Sequence, residues 1–266
     1  MNTEPAAPIL IFDSGVGGLT VLAALRAVLP QAPVIFAADQ AGLPYGTKSE
    51  AEVAARVAGL LGRMSERYRP RLVCIACNTA STIALGIVRD VLEVPIVGTV
   101  PAIKPAAALS KTGTIGLLGT EATIRQAYVD RLETEFAGGK HLLRQAAPEL
   151  VDVAEAKLRG ERVDSNAVAK AVSKLRAQNG GENIDTLVLA CTHFPLLEAE
   201  LRSMFESDVA FIHGAQGIAR RIIHLTKGQE MARNTPDFAI TTGPIEEFEP
   251  LSGAFAAQGI NRLERF

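Results

Sequence analysis

Cysteine is scarce in this chain, with three residues among 266. A small, odd number excludes a disulfide framework and fits thiols kept reduced in a cytosol. Charge of either sign is likewise not in excess: 27 Lys and Arg stand against 29 Asp and Glu, for a net charge of -2. The basic residues are scattered, which removes the electrostatic footprint expected of a nucleic-acid partner. Long apolar runs are missing too. Pro, Lys and Gly interrupt every candidate before the ~18 residues that a membrane span requires. The opening Met1-Asn2-Thr3-Glu4-Pro5 has no basic segment followed by a long apolar stretch and does not read as a secretory signal. The expectation is a soluble cytoplasmic protein with no membrane and no nucleic-acid partner. What is present suits that reading: 48% hydrophobic and 21% charged residues can bury a substantial core in one large or two modest domains.

Short apolar runs alternate with amphipathic segments over most of the length. This alternation is the pattern of an α/β fold, a mostly parallel sheet flanked by helices on both faces. The runs predict strands over 8–12, 34–37, 72–76, 96–97, 114–118, 186–190 and 209–211. Helices are predicted over 19–28, 49–68, 80–91, 122–136, 166–178 and 198–204. The two halves also resemble each other. Leu10-Ile11-Phe12-Asp13-Ser14 before a helix is answered by Gly116-Leu117-Leu118-Gly119-Thr120, and the run ending at Cys77 by the run ending at Cys191. Two pseudo-symmetric lobes are therefore expected, 1–99 plus 213–266 and 100–212, with the active site in the cleft between them. The Pro- and Gly-rich stretch 95–101 would be the first crossing and His213-Gly214-Ala215 the return.

Cys77 and Cys191 each end an apolar run and precede small hydrogen-bonding residues: Ile75-Ala76-Cys77-Asn78-Thr79 and Leu189-Ala190-Cys191-Thr192-His193. A thiol delivered from a buried strand into a polar turn is placed for chemistry, and two of them suggest an acid and a base facing one substrate carbon. Asn78, Thr79 and Ser81 lie beside a helix start, which favours a thiolate at Cys77 and offers donors to a carboxylate. His193 is two residues from the second thiol and would tune or relay its proton, with Thr192 binding substrate. Cys74 has redox-pair spacing to Cys77 but lies inside the apolar run, so it reads as an inert core thiol. A zinc site on Cys77, Cys191 and His193 lacks the paired spacing of recognisable metal sites. No metal is expected.

Three further segments carry polar groups. Asp13-Ser14-Gly15-Val16-Gly17-Gly18 follows the first strand and opens a helix, so it is either a capping turn or a polar substrate loop in which Asp13 meets an ammonium group. Its likeness to a dinucleotide fingerprint, with Asp39 as the ribose acid, fails because Thr20 takes the third glycine position and Asp13 would face the pyrophosphate. Pro44-Tyr45-Gly46-Thr47-Lys48 is a turn before a long helix, and the Tyr45-Gly46 backbone could hold a carboxylate. Glu155, in Val153-Ala154-Glu155, reads on its own as a solvated helix charge.

Together these segments resemble the glutamate racemases of the aspartate/glutamate racemase family. The likeness rests on Phe12-Asp13-Ser14-Gly15-Val16-Gly17-Gly18-Leu19-Thr20, Pro44-Tyr45-Gly46-Thr47-Lys48-Ser49, Ala76-Cys77-Asn78-Thr79-Ala80-Ser81 and Ala190-Cys191-Thr192-His193-Phe194-Pro195-Leu196-Leu197. It implies a cofactor-independent enzyme that interconverts L- and D-glutamate, supplies D-glutamate for peptidoglycan and commonly forms a homodimer. By motif, Cys77 and Cys191 would be the two bases, with His193 and Asp13 assisting them. Asp13, Ser14, Tyr45, Gly46, Asn78, Thr79, Thr192 and His193 would bind substrate, and Glu155 and Thr120 would join the set, Glu155 opposite His193. The chain departs from the family pattern at His213-Gly214, where Asp-Ser is usual, and at Ala147-Pro148, where Cys-Pro is frequent. A racemase of another small acid such as aspartate, or a non-catalytic amino-acid-binding protein, are the alternative readings.

Overall fold

The computed structural model describes residues 4–205 and 208–266; residues 1–3 of the opening segment, and 206–207, lie outside the described residues. The chain divides into two compact units, one formed by the segment up to Thr99 together with Ala215–Phe266, the other by Val100–Gly214.

The first unit begins with β1 (Ile9–Asp13), α1 (Leu19–Val28), β2 (Val34–Ala38), α2 (Glu50–Tyr68), β3 (Leu72–Ile75), α3 (Asn78–Val91) and β4 (Ile96–Val97). β1 and β2 are buried at every position, as expected of parallel strands covered on both faces. The first turn of α2 is fixed by Ser49, whose hydroxyl accepts from the Glu52 amide while Glu50 and Glu52 oppose the helix dipole. Val53, Val57, Leu60, Leu61 and Met64 form its buried stripe against the sheet. The helix ends at Arg69 in the left-handed region, φ 44°.

The second unit runs α4 (Ile103–Leu109), β5 (Thr114–Gly119), α5 (Glu121–Ile124), α6 (Ala127–Phe136), β6 (His141–Ala146), α7 (Glu149–Leu158), α8 (Ser165–Arg176), β7 (Thr186–Ala190), α9 (Glu198–Arg202) and β8 (Ala210–His213). The chain then completes the first unit with α10 (Ala215–Leu225), β9 (Phe238–Thr241), α11 (Ile245–Phe248), α12 (Ser252–Ala256) and β10 (Leu263–Arg265).

The sheet of the first unit has the order β10-β9-β2-β1-β3-β4 and that of the second β6-β5-β7-β8. Every pairing is parallel. Both sheets therefore share one arrangement, in which the first strand lies between the second and the third; β9 and β10 extend the first sheet beyond β2. The order reverses beside β1 and β5, the switch point where open α/β sheets leave a crevice at the carboxyl ends of their strands. Cys77 follows β3 and Cys191 follows β7, the strands next to that crevice.

The single helix predicted over 122–136 is two. Thr120 caps the one-turn α5, Gln126 adopts an extended conformation, and α6 starts afresh behind it. α3 begins two residues before the predicted helix, at Asn78, because Cys77 itself occupies the capping position. The predicted helix 198–204 is the shorter α9, Glu198–Arg202, and a 3-10 turn at Phe194–Leu197 precedes it. Among the described residues no helix is long and apolar enough to cross a membrane.

Candidate active site

In the first unit β1 ends in Asp13, which is fully buried. Its Oδ2 accepts a hydrogen bond from the Gly18 amide at 2.6 Å, drawing the glycine-rich loop back on its own start. A Cβ at Gly18 would stand 3.1 Å from the Asp13 Cβ and 3.2 Å from that of Ala76, so this close approach favours glycine. The Asp13 carboxylate thus closes the loop on the Gly18 amide, while α1 itself starts at Gly18 without a side-chain cap. The next residue, Ser14, turns its Oγ to within 3.5 Å of the Cys77 sulfur.

Cys77 is the N-cap of the fourteen-residue α3, and its sulfur accepts from the Ala80 amide at 3.5 Å. A helix N-terminus presents unpaired amides and the positive end of the peptide dipoles, which favours negative charge on the sulfur. Asn78 and Thr79, both buried, form the first turn of that helix. Cys74 is sealed in the core, where burial, then the charge of Asp13, pushes its thiol well above the usual range. It is the inert thiol that its place within the strand predicts.

Tyr45 opens a 3-10 turn, Tyr45–Thr47, that packs against α3. Its side chain is buried, and its hydroxyl donates to Asp39 Oδ2 at 2.5 Å. Asp39 in turn receives the Arg56 guanidinium through Nε and Nη2 and the Thr242 hydroxyl. Burial, followed by the charge of Asp39, its hydrogen bond and the nearby Cys77, pushes the Tyr45 hydroxyl far up, so it stays a donor. Gly42 is a second place where a side chain has no room, since its Cβ would fall 2.3 Å from Asp39 Oδ2. Asp39 is therefore the buried anchor of the Tyr45-Gly46 turn. Sequence reasoning weighed it only as a ribose acid and missed Arg56 and Thr242. The available signal was an aspartate placed directly after an apolar strand.

In the second unit Cys191 ends β7 without an α-helix to cap; a short 3-10 turn, Phe194–Leu197, follows instead. A buried chain of polar groups takes the helix's place. His193 Nδ1 lies 3.7 Å from the Cys191 sulfur, and its Nε2 lies 3.1 Å from Glu155 Oε1. Glu155 Oε2 accepts from Arg159 Nη2 at 2.8 Å, one turn further along α7. His193 is 2% exposed and Glu155 3%. The solvated-charge reading of Glu155 is therefore wrong, because its carboxylate faces inward to the imidazole. In the tautomer that carries its hydrogen on Nε2, that N–H donates to the carboxylate and the Nδ1 lone pair faces the thiol. Thr192 is buried in the same turn. Thr120 follows β5, the neighbour of β7, and its hydroxyl accepts from the Thr123 amide at 3.2 Å while donating to the Thr123 hydroxyl. His213, at the end of β8, pairs in register with Leu189. Burial holds the pKa of its half-buried imidazole down against the opposing effect of Glu198.

Residues 20–222 match the model of a family described as Asp/Glu/hydantoin racemase. The chain belongs to this racemase family. It is 60% identical to the glutamate racemase of Sphingopyxis alaskensis over 98% of this chain and 97% of that protein. It is also 41% identical to the glutamate racemase of Brucella anthropi, over 91% and 88% of the two chains. Among solved structures it is similar to Escherichia coli glutamate racemase in complex with L-glutamate and the activator UDP-MurNAc-Ala. That similarity has a TM-score of 0.92 and 37% identity, and covers 98% of both chains. In this member of the racemase family the two strand-end thiols stand in equivalent places, Cys77 after β3 and Cys191 after β7.

Proposed function

We propose that the chain is a cofactor-independent glutamate racemase in which Cys77 and Cys191 serve opposite faces of one substrate α-carbon. The observation that carries this reading is the pair of strand-end thiols, each with its own device for handling a proton: the α3 N-terminus and Ser14 at Cys77, the His193–Glu155 pair at Cys191. The 60% identity to a protein named glutamate racemase supports the choice of substrate.

The chemistry balances on those two sulfurs. One thiolate takes the α-proton and becomes a thiol; the electron pair left on carbon delocalises into the substrate carboxylate. The opposite thiol then gives its proton to the other face of that carbon and becomes a thiolate. The enzyme leaves the reaction with its two protonation states exchanged and is ready for the opposite enantiomer. Amides at the start of α3 and the Asn78, Thr79 and Thr192 side chains are the donors for the developing carboxylate charge. Asp13, Ser14 and the Tyr45-Gly46 turn complete the binding set, with Thr120 at its edge. The product, D-glutamate, goes to peptidoglycan synthesis in the cytoplasm, and the enzyme works as a homodimer.

The test is incubation of the purified protein with L-glutamate in deuterated water, without added cofactor and with L-aspartate in parallel. Loss of optical activity with deuterium entering glutamate alone is the expected result. Exchange into aspartate alone would move the activity to the other acid, and silence on both would overturn the reading.

A further inference from the structure

The carboxylate of Glu155 is shared between two partners. Its Oε1 lies 3.1 Å from His193 Nε2, and its Oε2 accepts from Arg159 Nη2 at 2.8 Å. Arg159 is the C-cap residue of α7, one turn beyond Glu155, and its side chain is 28% exposed where that of Glu155 is 4% exposed. An i,i+4 ion pair on a solvated helix face contributes little. Here one member is buried, and a buried carboxylate either has a cation beside it or takes up a proton. His193 cannot be that cation while it waits for a proton. In the tautomer with hydrogen on Nε2 the ring is neutral, and its Nδ1 lone pair faces the Cys191 sulfur at 3.7 Å. A guanidinium stays charged at any working pH. The other charged groups packed about this turn are matched to one another: Lys157 of α7 donates to Glu200 of α9 at 2.7 Å, and Glu198 accepts from Arg202 at 2.9 Å. Asp152 on α7 is exposed, where solvent screens its charge.

We propose that Arg159 is a positioning residue for the second thiol: it balances the Glu155 carboxylate so that His193 rests neutral, with its Nδ1 lone pair open to the proton of Cys191. Without the guanidinium, the buried carboxylate draws a proton from solvent onto the imidazole, and an imidazolium has no lone pair to offer the thiol. Arg159 acts through Glu155 and His193 and needs no contact with substrate. Its effect on the imidazole stands apart from the racemase reading; an effect on turnover rests on it.

NMR titration of the imidazole rings tests this in the full chain, with the His193 signal picked out from the four histidines by its loss in His193→Gln. In Arg159→Gln the pH at which His193 gains its proton should rise by at least about 0.5, because one nearby positive charge is gone. Arg159→Lys keeps the charge and should bring the midpoint most of the way back. Glu155→Gln should move it down, since the carboxylate that favours the imidazolium is lost. If Arg159 served packing alone, its removal would loosen the contact between Glu155 and His193 and lower the midpoint as well, so the sign of the change separates the two roles. A midpoint that is unchanged or lower in Arg159→Gln, or a ring that keeps one form from about pH 5 to 9 in both chains, would overturn the proposal. The consequence for catalysis is read from kcat/KM against pH. The acid limb of Arg159→Gln should move to higher pH, with activity recovering towards that of the unaltered chain in alkaline solution. A loss of the same size at every pH would overturn the effect on turnover. Because the ring titration needs no turnover, an inactive chain would refute the racemase reading and leave the result on His193 standing.

Discussion

His193 stands between Cys191 and Glu155, its Nδ1 3.7 Å from the sulfur and its Nε2 3.1 Å from a carboxylate oxygen. Beside Cys77 stand a helix N-terminus and a serine hydroxyl. The two thiols occupy equivalent places in two sheets of the same strand order, and in the mechanism proposed above their protons would be managed by different physics. A preorganised backbone dipole would act on Cys77 without moving a proton of its own, whereas His193 would accept one.

Glu155→Gln tests the second device. Glutamine keeps the shape but loses the charge that orients His193 and stabilises its protonated form, so kcat/KM should fall on the order of 10- to 100-fold. The fall should be equal from L- and D-glutamate, because the equilibrium constant of a racemisation is one. Polarimetric assay from both enantiomers checks this, and unchanged kcat/KM would remove Glu155 from the mechanism.

Asp39→Ala should cost stability as well as activity. It strands a part-buried guanidinium and removes the acceptor of the buried Tyr45 hydroxyl. Breaking such a pair costs about 3 kcal/mol when one charge stays behind. Urea unfolding of the variant against the unaltered chain measures it, and a change below about 0.5 kcal/mol would mean that Asp39 does not anchor the turn.

Asp185 gives a pH dependence. Burial acts to raise its pKa, but the amides of Thr112 and Lys111 and the hydroxyls of Ser110 and Thr186 outweigh it and hold the carboxyl at about 2. A folded-state value below the unfolded one of about 3.9 means that the unfolded chain binds the extra proton first. The stabilisation is therefore complete above about pH 4 and is lost as pH falls through the folded value. Allowing for partial exposure, it amounts to about 1 kcal/mol. Asp185→Asn should be less stable than the unaltered chain at pH 7 and close the gap towards pH 2. Unfolding curves at several pH values check the convergence; a constant gap would contradict it.

The α/β class and the parallel sheets were legible because buried parallel strands are apolar at nearly every position, as β1, β2 and β7 are. The strand-end cysteines were legible for the same reason, since a polar turn directly after an apolar run marks where a strand opens to its crevice. β6, β9 and β10 escaped notice. β6 runs from an exposed His141 through part-exposed Arg144 and Gln145, and β9 and β10 are four and three residues long and exist by pairing with strands far away in sequence. Read on its own, Glu155 looks like a solvated charge because the partner that draws it inward, His193, lies 38 residues away; the family resemblance sets it opposite His193, where its carboxylate lies. Within its own helix, the i,i+4 spacing to Arg159 is the local hint of a held carboxylate. Asp39 shows the same blindness, since its partners Arg56 and Thr242 come from two distant parts of the chain.

The proposed chemistry stands most directly on the two sulfurs. Cys77→Ser and Cys191→Ser, each assayed with L- and D-glutamate in deuterated water, measure whether both are needed. A serine hydroxyl is far less acidic than a thiol, so each single variant should lose at least about 10³-fold in racemisation. Near-normal activity in either would contradict the two-thiol mechanism.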